Sequence, residues 1–307
     1  MENNVRKKLE KINISGEIMR DIPMNMHTTF KTGGKADFFA VPNCYEDISK
    51  LLEFTKTHSV PVFILGGGAN ILVSDKGIRG LVIDMGKISN FSFQNNICTA
   101  EAGFPISDLA KAAADKNLKG LDFIYGMPGS VGGAVWMNAR CYGVSISDIL
   151  ISVDYLDKNL NFKTLKGSDL TANFSYKHSP FQDSTNIIIS ASFQLKIDNK
   201  KSIWNLMEKH KKDRECKGHY KFPSAGSVFK NNRTFGKPTG EIIDSLGLKG
   251  YQEGEAQIAD FHGNIIINNE EAKSKDIKSI IEYTQKTVDK KLGLKLETEI
   301  QFIGDWG

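Results

Sequence analysis

Two spacings of apolar residues alternate along this chain and mark out its elements. Residues 45–58 place Ile48, Leu51, Leu52 and Phe54 at near-helical intervals, between two short apolar runs at 36–41 and 60–65. Short apolar runs bounded by turn residues are the mark of buried strands, so this stretch predicts a β-α-β unit. A helix over 5–12 and a loop over 24–34 precede it. Strands then dominate at 71–75, 81–84, 91–93 and 97–102, the last two joined through the hairpin-type turn Asn95-Asn96. Residues 106–117 predict a helix of good propensity with Gly120 soon after it, and a short apolar helix follows at 134–138. A hairpin over 151–156 and 160–165 and a long strand over 186–196 lead to Asp198-Asn199-Lys200-Lys201, the best boundary candidate. Beyond it the pattern predicts helices at 202–215, 240–246 and 274–292, and strands at 227–230, 264–267 and 294–303.

Composition narrows the class. The chain has 307 residues, 40% hydrophobic and 25% charged, enough for two domains or one large domain with an appendage. A net charge of +4 is too small to argue for nucleic acid or an anionic membrane. The first eleven residues are polar and charged, and no run of about 18 apolar residues occurs, so a cytoplasmic location is expected. Cys44, Cys98, Cys141 and Cys216 are scattered without metal-type spacing and read as reduced, mostly structural thiols.

Two glycine clusters add candidate chemistry: Gly66-Gly67-Gly68-Ala69-Asn70 and Gly126-Met127-Pro128-Gly129-Ser130-Val131-Gly132-Gly133. Glycine permits positive φ and close backbone approach, so clustered N–H groups can cradle phosphate. A Rossmann fingerprint would need glycine at position 71 and a following helix, and a P-loop would need Gly-Lys-Ser/Thr; neither is present. What remains is a phosphate-binding loop pair outside both common nucleotide folds, or two tight turns of a glycine-rich protein. A helix starting directly behind Gly132-Gly133 would aim unsatisfied N–H groups at an anion.

The six histidines form no local ligand set, and Ala225-Gly226-Ser227-Val228-Phe229 fails the nucleophile-elbow pattern at both glycines. As a proton donor, the Ser227 hydroxyl needs a strongly basic acceptor such as a carbanion or enolate, with positive groups nearby. Lys217 and Lys230 flank it in sequence; taken alone, Ser227 also fits a turn residue. Glu297 and Glu299 stand two apart in a predicted strand and share a face.

The strings Thr28-Thr29-Phe30-Lys31-Thr32-Gly33-Gly34, the two glycine clusters, Asn138-Ala139-Arg140-Cys141-Tyr142-Gly143, Ser224-Ala225-Gly226-Ser227-Val228-Phe229-Lys230-Asn231 and Leu296-Glu297-Thr298-Glu299 together resemble the UDP-N-acetylenolpyruvoylglucosamine reductase family, in its shorter form without an inserted substrate loop. The resemblance implies an α+β fold: the two-subdomain FAD-binding fold shared with vanillyl-alcohol oxidase and p-cresol methylhydroxylase, plus a C-terminal α+β substrate domain. It places FAD on residues 1–198, with subdomains of about 1–58 and 59–198, and the substrate on 199–307. It implies FAD and NADPH as cofactors and an enolpyruvyl sugar nucleotide as substrate, reduced in peptidoglycan synthesis by a monomer. FAD would meet Gly66, Gly67, Gly68, Ala69, Asn70, Gly126, Pro128, Gly129, Ser130, Gly132 and Gly133. Ser227 matches the family's proton donor, and Glu299 a carboxyl that helps stabilise the enolate. Tyr176, Lys217, Lys230, Asn231 and His262 match substrate contacts. Lys177 stands where the family usually has arginine; either it supports the enolate as a point charge or Arg140 shares the task. Gln301 and His219 stand where arginine and proline are commoner. Two other readings remain open at this point: an FAD-dependent oxidase of a small alcohol or hydroxy acid, and a flavin- or nucleotide-binding module without catalysis.

Overall fold

In the computed structural model, which describes residues 3–307, the chain folds as two units, and neither is one continuous segment. The first takes the residues up to Arg20, Phe38–Gly67 and Gly80–Lys211; the second takes Asp21–Asp37, Gly68–Arg79 and Lys212–Gly307.

Val62–Leu65 runs parallel to Ile78–Asp84 within a four-stranded sheet that includes Lys35–Val41 and Glu17–Pro23, of which residues 17–20, 38–41, 62–65 and 80–84 belong to the first unit. A second, antiparallel sheet has the order Phe162–Lys166, Leu150–Leu156, Ile187–Gln194, Ile97–Glu101, Phe91–Gln94. Its last hairpin turns at Asn95, whose φ of 55° is the left-handed conformation that asparagine tolerates best after glycine. Helix Tyr45–Thr57 buries Ile48, Leu51 and Leu52, and helix Ile106–Asp115 buries Ile106, Leu109, Ala110, Ala113 and Ala114. These side chains join one core with Phe38, Phe123 and Phe193, each Leu or Phe contributing roughly 1.5–3 kcal/mol of burial.

In the second unit, Gln252–Glu253, Ala256–Ile258 and Ile266–Asn268 form an antiparallel sheet. Helix Ser274–Leu292 buries Ile277, Ile280, Ile281, Thr284 and Val288, an i, i+3, i+4 stripe, and ends on Gly293 at φ 67°. Its first turn is capped from a distance: the Asp75 carboxylate accepts the Ser274 and Lys275 N–H groups, both at 2.9 Å. Gln301–Ile303 runs parallel to Ile71–Val73.

Three differences from expectation bear on the site. The short glycine-cluster helix is Val131–Trp136, three residues earlier than 134–138, because Ser130 caps it by accepting the Gly133 N–H. The closing strand shrinks to Gln301–Ile303, since before it the chain pairs only at the isolated Phe229/Thr298 bridge. Residues 227–230 likewise form isolated bridges rather than a strand.

Asn268 ties the second unit together. It is buried, donates from Nδ2 to the Phe30 carbonyl at 2.9 Å, and accepts the Ala272 N–H on Oδ1 at 2.9 Å. Leucine there would strand both backbone groups in the interior. Asn268→Leu is expected to destabilise the fold by about 1–3 kcal/mol, read as a lowered urea midpoint.

Candidate active site

Both glycine clusters meet within the first unit, backbone against backbone. A β-carbon on Gly67 would lie 2.5 Å from the Gly129 Cα, and one on Gly66 would lie 2.5 Å from the Ser130 Oγ. Either approach is below any real Cβ contact. Glycine is therefore required by packing before any ligand is considered. Gly126 and Gly129 also stand at φ 78° and 122°.

The second cluster does not offer the helix amides that its sequence suggested. Val131 N–H donates to the Phe104 carbonyl, Gly132 N–H to the Ala102 carbonyl and Gly133 N–H to the Ser130 Oγ. Free amides lie instead in the first cluster: among the described residues, the N–H groups of Gly67, Gly68, Ala69 and Asn70 donate to no protein acceptor. Four consecutive donors with nothing to satisfy them suit the oxygens of a pyrophosphate.

The continuation of this loop, Gly68-Ala69-Asn70, belongs to the second unit, where the 28–32 turn backs it. Thr29 N–H donates to the Gly68 carbonyl at 3.1 Å and Thr29 Oγ1 to the Ala69 carbonyl at 3.4 Å. A β-carbon on Gly68, at φ 61°, would strike the His27 carbonyl oxygen. Periodicity gave no signal for this turn as a loop support. Asn70 closes the far side, its Nδ2 donating to the Glu299 carbonyl at 3.0 Å.

Ser227 and Glu299 come together in the same unit. Glu299 N–H donates to the Val228 carbonyl at 2.7 Å and Lys230 N–H to the Glu297 carbonyl at 2.9 Å, so 228–230 and 297–299 lie side by side. On the other flank Ser227 bridges Ile265 and Val228 N–H donates to the Asn264 carbonyl. Both Ser227 and Glu299 are half-buried. Lys230 Nζ meets the Glu297 carboxylate at 2.5 Å, and the exposed Lys217 meets Asp213 at 2.7 Å. Asn231 accepts the Thr239 N–H on Oδ1 at 2.8 Å.

His262 and His219 also lie in this unit, ring centroids 6.0 Å apart. Burial, reinforced by the Arg214 charge, pushes His219 down to about 4, and burial followed by the Lys217 charge lowers His262. His262 Nδ1 accepts the Asn264 N–H at 3.1 Å, so the neutral ring carries its proton on Nε2.

Tyr176 and Lys177 belong to the first unit, on a tight turn closed by the Ser175/His178 bridge. Tyr176 is exposed and Lys177 is half-buried at φ 57°. Two residues that carry no charge anchor the turn: Asn138 Nδ2 donates to the Ser175 carbonyl at 2.7 Å and Gln182 Nε2 to the Lys177 carbonyl at 3.1 Å. Arg140, in the same unit, donates to the Ser145 Oγ at 2.8 Å.

Comparison with known proteins supplies what geometry alone leaves open. Residues 36–160 match the FAD binding domain family and contain both glycine clusters. Residues 218–303 match the UDP-N-acetylenolpyruvoylglucosamine reductase C-terminal domain and contain Ser227, His262 and Glu299. The chain is 41% identical over 305 residues to the UDP-N-acetylenolpyruvoylglucosamine reductase of Borreliella burgdorferi, covering 99% of each chain. It belongs to the UDP-N-acetylenolpyruvoylglucosamine reductase family. The relative in Treponema denticola is 43% identical over 303 residues, 93% of each chain. A crystal structure of the reductase from Thermus caldophilus superposes with TM-score 0.78 at 28% identity, over 95% of this chain and all of that one. As a family member with an FAD-binding domain, the chain is an FAD-dependent oxidoreductase, a UDP-N-acetylmuramate dehydrogenase. The unbonded amides of 67–70 and the glycine contacts around them fit that cofactor.

Two outcomes follow. Gly67→Ala is expected to melt at a lower temperature than the parent and to carry little bound flavin, measured as the flavin-to-protein absorbance ratio, because its β-carbon overlaps the Gly129 backbone. For His219, the unfolded chain takes up a proton near 6.5 that the folded chain takes up only near 4, so stability falls as pH drops through that window. His219→Gln is expected to lose less of its melting temperature than the parent between those pH values.

Proposed function

We propose that this chain reduces the enolpyruvyl double bond of UDP-N-acetylglucosamine enolpyruvate to give UDP-N-acetylmuramate for peptidoglycan synthesis, with NADPH as the reductant. FAD, when bound, supplies the chemistry of accepting hydride from NADPH and passing hydride to the enolpyruvyl β-carbon. The chain's own residues do the rest. Ser227 Oγ–H delivers a proton to the α-carbon, where hydride addition at the β-carbon leaves enolate character. An alcohol is a poor acid, so it serves here because the acceptor is strongly basic. Glu299 lies beside the proton donor and helps stabilise the enolate, and the Lys177 ammonium offsets its charge together with that of the substrate carboxylate. Lys217, Lys230, Asn231, Tyr176 and His262 bind the substrate, His262 as a neutral Nε2–H donor.

The observation that supports this reading is the side-by-side pairing of Val228–Lys230 with Glu297–Glu299, by which Ser227 and Glu299 stand on adjacent backbone segments. We propose that residues 1–198 hold the cofactor and, Tyr176 and Lys177 apart, 199–307 the substrate. We also propose that the enzyme acts as a cytoplasmic monomer without nucleic acid or membrane. A net charge of only +4 argues against a nucleic-acid partner; among the described residues no helix is long and apolar enough to cross a membrane.

Anaerobic NADPH oxidation should require the enolpyruvyl substrate for turnover; its absence with purified, flavin-loaded protein would remove this function. In Ser227→Ala, reduction of the flavin by NADPH should survive while its reoxidation by substrate collapses by roughly 10²–10⁴-fold. Equal loss of both half-reactions would show that Ser227 is not the proton donor.

A further inference from the structure

We propose that Asn264 is the positioning residue that fixes the Ser227 hydroxyl for proton transfer. This rests on the assignment of Ser227 as proton donor. Asn264 is buried, 3% exposed, and each of its polar groups has a partner in the site. Its carbonyl accepts the Val228 N–H at 2.9 Å and its N–H donates to His262 Nδ1 at 3.1 Å. Its side chain takes both backbone groups of one residue: Oδ1 accepts the Phe229 N–H at 2.9 Å, and Nδ2 donates to the Phe229 carbonyl at 2.8 Å.

The reason lies in the local register. Ser227 stands opposite Ile265 in an antiparallel bridge, so a continuing ladder would put Phe229 opposite Gly263. The chain has already turned there: Ile265 N–H donates back to the His262 carbonyl, and Gly263 packs on the Gly240 carbonyl oxygen without room for a β-carbon. The Asn264 amide stands in for the missing strand. It presents one acceptor and one donor side by side, as a peptide group does, whereas a carboxylate presents two acceptors and leucine neither. On the opposite flank, Val228 and Lys230 are held by Glu299 and Glu297. Residues 227–229 are thus clamped from both sides. Removing one jaw leaves two buried Phe229 groups unpaired and lets the hydroxyl shift relative to the α-carbon. A displacement near 1 Å is enough to slow such a step by roughly 10²-fold.

The test uses the flavin-loaded enzyme with Asn264→Asp, which is isosteric, and Asn264→Leu. Each is followed in separate half-reactions and by amide hydrogen exchange. Flavin reduction by NADPH should stay within about twofold of the parent. Reoxidation by the enolpyruvyl substrate should slow roughly 10–100-fold in both; in the leucine variant the Phe229 amide should also exchange faster while helix Ser274–Leu292 keeps its protection, whereas the aspartate carboxylate still accepts the Phe229 N–H and leaves only the Phe229 carbonyl unpaired. If leucine prevents folding, the aspartate variant decides. Equal slowing of both half-reactions would reduce Asn264 to a structural role and overturn the inference. So would unchanged reoxidation in either folded variant. A parent enzyme that shows no substrate-dependent reoxidation would instead overturn the function itself, and this inference with it.

Discussion

Contact between the Gly67 and Gly129 backbones is the constraint on which the cofactor half of this molecule depends. With no β-carbon on either residue, the loop after strand Val62–Leu65 can lie directly on the turn before helix Val131–Trp136. That contact uses the glycines of both clusters on each other. It also explains why the amides divide their labour. In the second cluster the N–H groups of 131–133 are consumed by Phe104, Ala102 and Ser130 and hold the turn rigid. In the first, those of 67–70 are left unbonded. One cluster is the anvil and the other the cradle, an asymmetry that glycine content alone does not reveal.

Around Ser227, where the chemistry is proposed, polar side chains hold the backbone in addition to close approach. Ser227 lies on a segment too irregular to be a strand, and three asparagines make up the deficit. Asn264 pairs with Phe229, Asn70 holds the Glu299 carbonyl, and Asn231 fixes the start of helix Thr239–Ser245. The amides of Asn264 and Asn70 satisfy backbone groups that a regular sheet would have satisfied with neighbours, and Asn231 takes an N–H that the helix start leaves without a partner in the helix. An irregular backbone so supported can present a hydroxyl and a carboxyl from two chain segments more than seventy residues apart in sequence, which a continuous strand pair would bury between side chains.

The long periodic elements were legible in the sequence because one physical signal dominated each. Helix Ser274–Leu292 follows its apolar stripe and its Gly293 stop, and the 91–101 hairpin follows its asparagine turn. Strand Glu17–Pro23 escaped notice because it is short of buried side chains and carries Asp21 at positive φ. The Gln252–Ile258 hairpin hides in the same way behind Glu253, Gly254 and Glu255. Glycines and the Ser227 string drew attention by composition and by family likeness, whereas Asn264 and Gln182 did not, and Asn138 and the Thr29 turn entered only within family strings, with no role of their own. Their work is done through hydrogen bonds to main chain, which leave no periodic trace.

The Lys177 ammonium, proposed to face the enolate, is displayed from a turn that its own side chain does not build. The turn holding it is fixed by main-chain carbonyls, those of Ser175 and Lys177, bonded to Asn138 and Gln182. None of these bonds involves the residue's own side chain, so either cation would be displayed from the same backbone. What differs is the donor geometry. A guanidinium offers a planar pair of N–H groups that can select a carboxylate by shape, whereas an ammonium offers charge with three rotatable donors. Arg140 already has one donor on Ser145, leaving part of its fork available within the same unit. The proposed chemistry asks for positive charge near an enolate and a carboxylate, and lysine meets the electrostatic part of that demand. Any selectivity that arginine would confer through planarity must then come from residues that grip the rest of the substrate.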